Sequence, residues 1–111
     1  MDGIDEALID ATRENNLREV RRLLRAGAAI EVKDYDHCGF TPLHEACYHG
    51  YLQVFNELLE RGADIEAQSN VDWTPLHVVS WAGHMQVLEA LLNVGADVHA
   101  TTELHRSLIH I

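Results

Sequence analysis

Thr41-Pro42-Leu43-His44 returns 33 residues later as Thr74-Pro75-Leu76-His77. The same shift carries Gly62-Ala63-Asp64-Ile65 onto Gly95-Ala96-Asp97-Val98, and between these anchors Leu52-Gln53-Val54-Phe55-Asn56-Glu57-Leu58-Leu59 matches Met85-Gln86-Val87-Leu88-Glu89-Ala90-Leu91-Leu92. A looser copy runs from Leu17-Arg18-Glu19-Val20-Arg21-Arg22-Leu23-Leu24 to Gly27-Ala28-Ala29-Ile30, and its Gly-Ala precedes the next by 35 residues. The first connecting loop therefore carries two extra residues. Ser107-Leu108-Ile109-His110 falls in the Thr-Pro-Leu-His register once more, close to the end of the 111-residue sequence. A fixed period of this length is the mark of a stacked repeat architecture.

Within one period the chemistry spells helix, turn, helix and long loop. Thr41 and Thr74 are helix N-caps, each followed by proline at the first helical position, where its missing N–H costs nothing. Gly50 and Gly83 end that helix after about two turns. The second helix carries Leu52, Phe55, Leu58 and Leu59 on one apolar stripe, and Gly62 and Gly95 terminate it. The stretch to the next threonine is rich in Asp, Asn, Ser and Thr, as turns are. Two short helices cannot hide their apolar faces alone, so neighbouring units must stack into an all-α helical solenoid.

These residues resemble the ankyrin repeat family, whose signature is T-P-L-H-x-A at this period. Residues 41–46 satisfy it fully, and residues 74–79 end in Val79 where the family has Ala. The resemblance covers essentially the whole chain, residues 1–111, as repeats at about 2–34, 41–73 and 74–106 with a partial fourth at 107–111. It implies L-shaped units whose β-turn loops project at right angles to the helices. Loops and first helices then form a concave face that binds other proteins, and no catalytic residue is carried over. The first unit departs from the pattern, with Ala7-Leu8-Ile9-Asp10 in place of Thr-Pro-Leu-His and a wealth of charge from Arg13 to Arg25. Its expected role is a solvated N-terminal cap. The turn glycine is present at Gly39 but replaced by Asp72 and His105, which reach positive φ at a cost. Such loop-tip departures fit a surface tuned for one partner, by nature or by engineering, and they fit neutral drift as well.

Composition narrows the partners. Eight Lys and Arg against eighteen Asp and Glu leave a net charge of −10. That balance argues against nucleic acid and against an anionic membrane surface, and favours a protein partner with a basic surface. No apolar run approaches the roughly 20 residues that span a bilayer. The first residues, Met1-Asp2-Gly3-Ile4-Asp5-Glu6, are acidic where a signal peptide is basic, so an intracellular setting, cytoplasmic or nuclear, is expected. Two cysteines, Cys38 and Cys47, are too few for a disulfide scaffold.

The eight histidines invite a metal or catalytic reading, which their placement does not support. His44, His77 and His110 share one register, where the family's imidazole bonds neighbouring backbone. His37, His99 and His105 fall on loops, and His49 and His84 near helix ends. No third or fourth zinc ligand stands at usual spacing, so neither metal nor cofactor is expected. Cys47 follows His44 by three residues, yet it occupies a small buried register shared with Thr12 and Ser80. A buried, inert thiol is expected there, and an exposed, more reactive one at Cys38. The protein is therefore read as a non-catalytic binding module. A Cys/His hydrolytic or metal site in the loops is the competing reading, and an ankyrin-type inhibitor occluding a kinase or protease cleft is another.

Specificity should sit where packing leaves the residue free. Phe40, Trp73 and Arg106 occupy the position before the helical threonine or serine. Tyr48-His49 and Trp81-Ala82 precede Gly50 and Gly83. Tyr35, Val71 and Leu104 stand at or near turn tips. The expected partner-binding set is Tyr35, Phe40, Tyr48, His49, Val71, Trp73, Trp81, Leu104 and Arg106, with Phe40 beside Trp73 and Tyr48 beside Trp81. Exposed large rings usually mark interaction sites. At the far end, Ser107–Ile111 supplies no second helix, so the stacking face near Leu88 and Leu91 is expected to stay uncovered. Self-association through that end, or a longer parent chain, follows from this.

Overall fold

The computed structural model describes residues 3–96. Six helices follow one another: α1 (Gly3–Arg13), α2 (Leu17–Arg25), α3 (Pro42–His49), α4 (Leu52–Glu60), α5 (Pro75–Ala82) and α6 (Met85–Asn93). They form two layers. In the first, α1 packs on α3 and α3 on α5; in the second, α2 packs on α4 and α4 on α6. The core between the layers holds Leu8, Val20, Leu43, Val54, Phe55, Leu58, Leu76, Val79, Val87 and Leu91, all essentially buried. Among the described residues no extended strand forms; Asp34 and Phe40 make a single antiparallel bridge.

The capping chemistry acts as the sequence dictates. The hydroxyls of Thr41 and Thr74 accept from the backbone N–H of His44 and His77, whose rings reach back to the threonine N–H. Each cap thus satisfies two donors that a helix start would otherwise leave unpaired. Gly50 and Gly83 end the first helices at φ of +76° and +80°. In the first unit Asn15 stands in the matching register and takes the same left-handed turn at φ +56°, a conformation asparagine tolerates better than most residues.

Histidine then ties one unit to the next. His44 is fully buried; its Nε2–H donates to the Trp73 carbonyl at 2.7 Å, and its Nδ1 accepts from the Thr41 hydroxyl at 2.8 Å and the Thr41 N–H at 3.2 Å. A neutral ring satisfies all three bonds, and burial holds the His44 pKa below its ordinary value. His84 makes a second link, donating from Nε2 to the Tyr48 carbonyl at 2.9 Å. Glu31 accepts from the Asp64 N–H at 2.7 Å between successive loops.

The two additional residues of the first loop are accommodated at its tip. Asp34 N–H donates to the Phe40 carbonyl at 2.9 Å, and Ser69 N–H to the Trp73 carbonyl at 2.9 Å. The two hairpin closures are equivalent, but one encloses two residues more than the other, taken up by a single 3-10 turn at Tyr35–His37. Cys38 and Asp72 adopt positive φ, at +61° and +63°. At the far end one expectation needs correction. Val87 and Leu91, one turn apart on α6, face inward, so Leu91 is fully buried and Leu88 packs against the core. Among the described residues of α6 and the turn after it, the exposed large apolar side chains are Met85, Leu92 and Val94 instead.

Candidate functional site

Periodic placement builds the site. Arg13, Tyr48 and Trp81 hold one register of three successive first helices, and Phe40 and Trp73 hold one register of two successive loop ends. Stacking brings these positions side by side. The Tyr48 and Trp81 rings lie nearly parallel with centroids 6.3 Å apart, and Trp73 meets Trp81 edge-on at 6.2 Å. Phe40 reaches Tyr48 at 6.3 Å and stacks on the His44 ring at 5.3 Å. The aromatic succession is therefore Phe40, Tyr48, Trp81, Trp73. Phe40 and Trp73 face one shared hollow, which is about 240 Å³ and walled by apolar atoms of Cys38, Val71 and Val78 together with the four rings.

The rings differ in what they do. Tyr48 and Trp81 are 42% and 53% exposed, whereas Phe40 and Trp73 are half-buried and pack against the core. Trp73 is held from both sides of its backbone: its N–H donates to the Ser69 hydroxyl at 3.2 Å, and its carbonyl accepts from His44 and Ser69. The wall of the hollow is preorganised, and its open side is formed by the two exposed rings.

A charged corner adjoins the hollow. A second depression, about 400 Å³, shares Cys38, Phe40 and Tyr48 with the first and continues to Arg13, Asp36, His37, Glu45 and His49. Arg13 pairs with Asp34 and donates to Glu45 at 3.3 Å and to His37 Nδ1 at 2.7 Å. His37 Nδ1 also lies 3.0 Å from Asp34, and His49 lies 3.5 Å from Glu45. His49 stacks on Tyr51, whose hydroxyl donates to the Arg13 carbonyl at 3.1 Å. Asp34 and Glu45 thus close on one guanidinium, and Asp36 lines the same depression, so the carboxylates here outnumber the arginine.

Of the expected set, Phe40, Tyr48, Val71, Trp73 and Trp81 meet in one hollow, with His49 beside it. Tyr35 is exposed but points elsewhere, lining a depression with Glu6, Ile9, Asp10 and Arg13. The inserted 3-10 turn swings it towards the first unit, away from the rings. Leu104 and Arg106 lie outside the described residues. Arg13 and Asp36 were not expected, yet Arg13 could have been found by carrying the Tyr48 register back 35 residues. Its place beside the groove depends on pairing with Asp34 in the connecting loop, which no period reveals.

The cysteines behave as their registers suggest. Cys47 is fully buried, and burial pushes its thiol well up, away from the thiolate that nucleophilic chemistry needs. Cys38 is exposed on the groove rim. Among the described residues no three His, Cys, Asp or Glu side chains converge as metal ligands, and no helix is long and apolar enough to cross a membrane.

A family model for ankyrin repeats, in three copies, matches residues 8–102. The chain belongs to the ankyrin repeat family, a class of protein-interaction modules that is typically non-catalytic. It is 43% identical over 60 residues to human ankyrin repeat domain-containing protein 49, covering 54% of this chain and 25% of that protein. It is 39% identical over 64 residues to human protein phosphatase 1 regulatory subunit 27, covering 58% of this chain and 40% of the relative. Mouse oxysterol-binding protein-related protein 1 is 39% identical over 69 residues, 55% of this chain but 7% of the relative. The chain thus spans less than half the length of each of these relatives.

Proposed function

We propose that the chain holds a partner protein by seating an apolar side chain of that partner between Phe40, Tyr48, Trp73 and Trp81. A basic residue of the same segment then reaches the carboxylates of Asp36 and Glu45 that line the second depression. The observation that carries this reading is the continuity of the two depressions through Cys38, Phe40 and Tyr48. An apolar anchor and a cation a few residues away can both be satisfied by one segment. Desolvation of large rings supplies most of the affinity, and the corner steers orientation and on-rate. The free thiols of Cys38 and Cys47 suit a reducing compartment, cytoplasm or nucleus.

The test is selection of a random peptide library on the immobilised chain, followed by calorimetry of the enriched peptides. Enriched segments are expected to pair a large apolar residue with Lys or Arg. Trp81→Ala and Tyr48→Ala should each weaken binding by about 2–4 kcal/mol, with Gln86→Ala on α6 as a neutral control. Folded tryptophan variants that bind like the parent, or enriched peptides without a basic residue, would refute this reading. Similarity to a phosphatase regulatory subunit favours one second reading, in which the bound partner is an enzyme whose activity the contact alters. Assaying the protein phosphatase 1 catalytic subunit with and without the chain tests it, and unchanged activity and no complex formation would dismiss it.

A further inference from the structure

Half of the chain's eight basic residues fall in the nine residues of α2, as Arg18, Arg21, Arg22 and Arg25. Their spacing of i, i+3, i+4 and i+7 sets them on one helix face. All four are exposed, while Val20 and Leu23 on the opposite face are buried in the core. α2 belongs to the second helix layer, so this face is separate from the aromatic groove on the first helices and loops. With Leu17, the four arginines line a surface trough of about 620 Å³.

Exposed arginines on a capping helix are most often a solvated face, but three features here point outward to a ligand. First, the charges are only half answered. Arg21 donates to Glu57 at 2.9 Å and Arg22 to Glu19 at 2.7 Å, whereas no carboxylate among the described residues pairs with Arg18 or Arg25. Second, like charges three and four residues apart oppose helix formation, so the stripe works against its own element. Third, Arg18 lies in the first turn, where the helix dipole disfavours a cation. Solvation alone would be served as well by glutamate, which is the commoner residue in this acidic chain.

We infer that this face docks a short acidic segment of a partner protein, with carboxylates received by the guanidinia of Arg18 and Arg25 and by the edges of Arg21 and Arg22. Arg18 and Arg25 stand about 10.5 Å apart along the helix axis, a span that four or five residues of extended chain cover. Planar guanidinium matches carboxylate in a two-pronged hydrogen-bonding geometry that ammonium cannot. Size selects the occupant. A nucleic acid strand or an anionic membrane leaflet would overrun the stripe onto a protein that keeps seventeen of its eighteen acidic residues outside α2. A segment of a few residues would not.

The experiment uses the full chain and a rhodamine-labelled Gly-Glu-Glu-Ser-Glu-Glu-Gly peptide, followed by fluorescence anisotropy. Saturable binding is expected at low salt, weakened at least tenfold by the Arg18→Gln/Arg25→Gln double variant and by raising salt severalfold. Among the described residues neither substituted side chain has an ion partner, so the melting temperature should hold, and Trp81→Ala should bind the peptide as the parent does. Absent binding, or equal binding by the double variant, overturns the inference. So does tighter, arginine-dependent binding of a twelve-nucleotide DNA strand or of phosphatidylserine vesicles. Salt-sensitive self-association in sedimentation that the double variant abolishes would assign the face to a second copy of the chain, and overturns it too.

Discussion

Replacing His44 with alanine tests the link between repeat packing and the groove. The ring is fully buried and makes one donated and two accepted hydrogen bonds. Its removal leaves the Thr41 N–H without a partner and takes from the Trp73 carbonyl one of two donors, the Ser69 N–H remaining at 2.9 Å. A buried group left unpaired costs about 1–3 kcal/mol, and emptying a ring-sized volume in the core adds a comparable amount. The expected loss is about 3–5 kcal/mol in total, which at about 4–8 °C per kcal/mol lowers the melting temperature by roughly 12–40 °C. Urea and thermal unfolding, followed by far-ultraviolet dichroism and tryptophan fluorescence, measure it. pH supplies a second reading from the same residue. Because the folded pKa lies below that of the unfolded chain, the unfolded state takes the proton more readily. Stability from neutral His44 is complete above about pH 6.5 and is lost as pH falls through the lower folded value. That component should vanish in the variant. A loss under about 1 kcal/mol, or an unchanged pH profile between 7 and 5, would refute the assignment of His44 as the tie between units.

Gly50→Ala should destabilise by about 2–3 kcal/mol in urea unfolding, because φ is +76° and a Cβ would stand 2.6 Å from the His84 ring. Gly83→Ala, equally left-handed at φ +80° but with nothing within 4 Å, should cost only about 1–2 kcal/mol. Thiol titration of the native protein should modify Cys38 and spare Cys47, with both reacting after unfolding; a bulky adduct on Cys38 should block the groove. Hydrogen bonds from Arg21 and then Arg61 hold the Glu57 carboxyl below the usual carboxylate range. Its contribution is therefore present above about pH 4.3 and lost as pH falls through the folded value, so Glu57→Gln should flatten the acid limb of a stability titration.

Most of the architecture was legible in the 33-residue period, because each local signal states its own geometry. Thr-Pro starts a helix through capping and a fixed φ, Gly50 and Gly83 stop it through left-handed backbone, and the apolar stripe of α4 names the face that must be covered. The period even implied neighbours, since equal registers stack: Tyr48 beside Trp81 was foreseeable from spacing alone. What spacing could not decide was depth. Phe40 and Trp73 occupy the same kind of position as exposed specificity residues, yet the hydrogen bonds of His44 and Ser69 draw Trp73 against the core. Only the packed structure shows that Tyr48 and Trp81 carry the open surface. Tyr35 looked like a turn-tip contact, but two inserted residues became a 3-10 turn that aims it at the first unit. Arg13, in a unit whose sequence reads as a cap, joined the groove because Asp34 in the connecting loop and Glu45 on α3 close around it. Periodicity reports which residues are equivalent; how far each is buried, and which charges meet, depends on side chains from different units packing together, and that is set by tertiary structure alone.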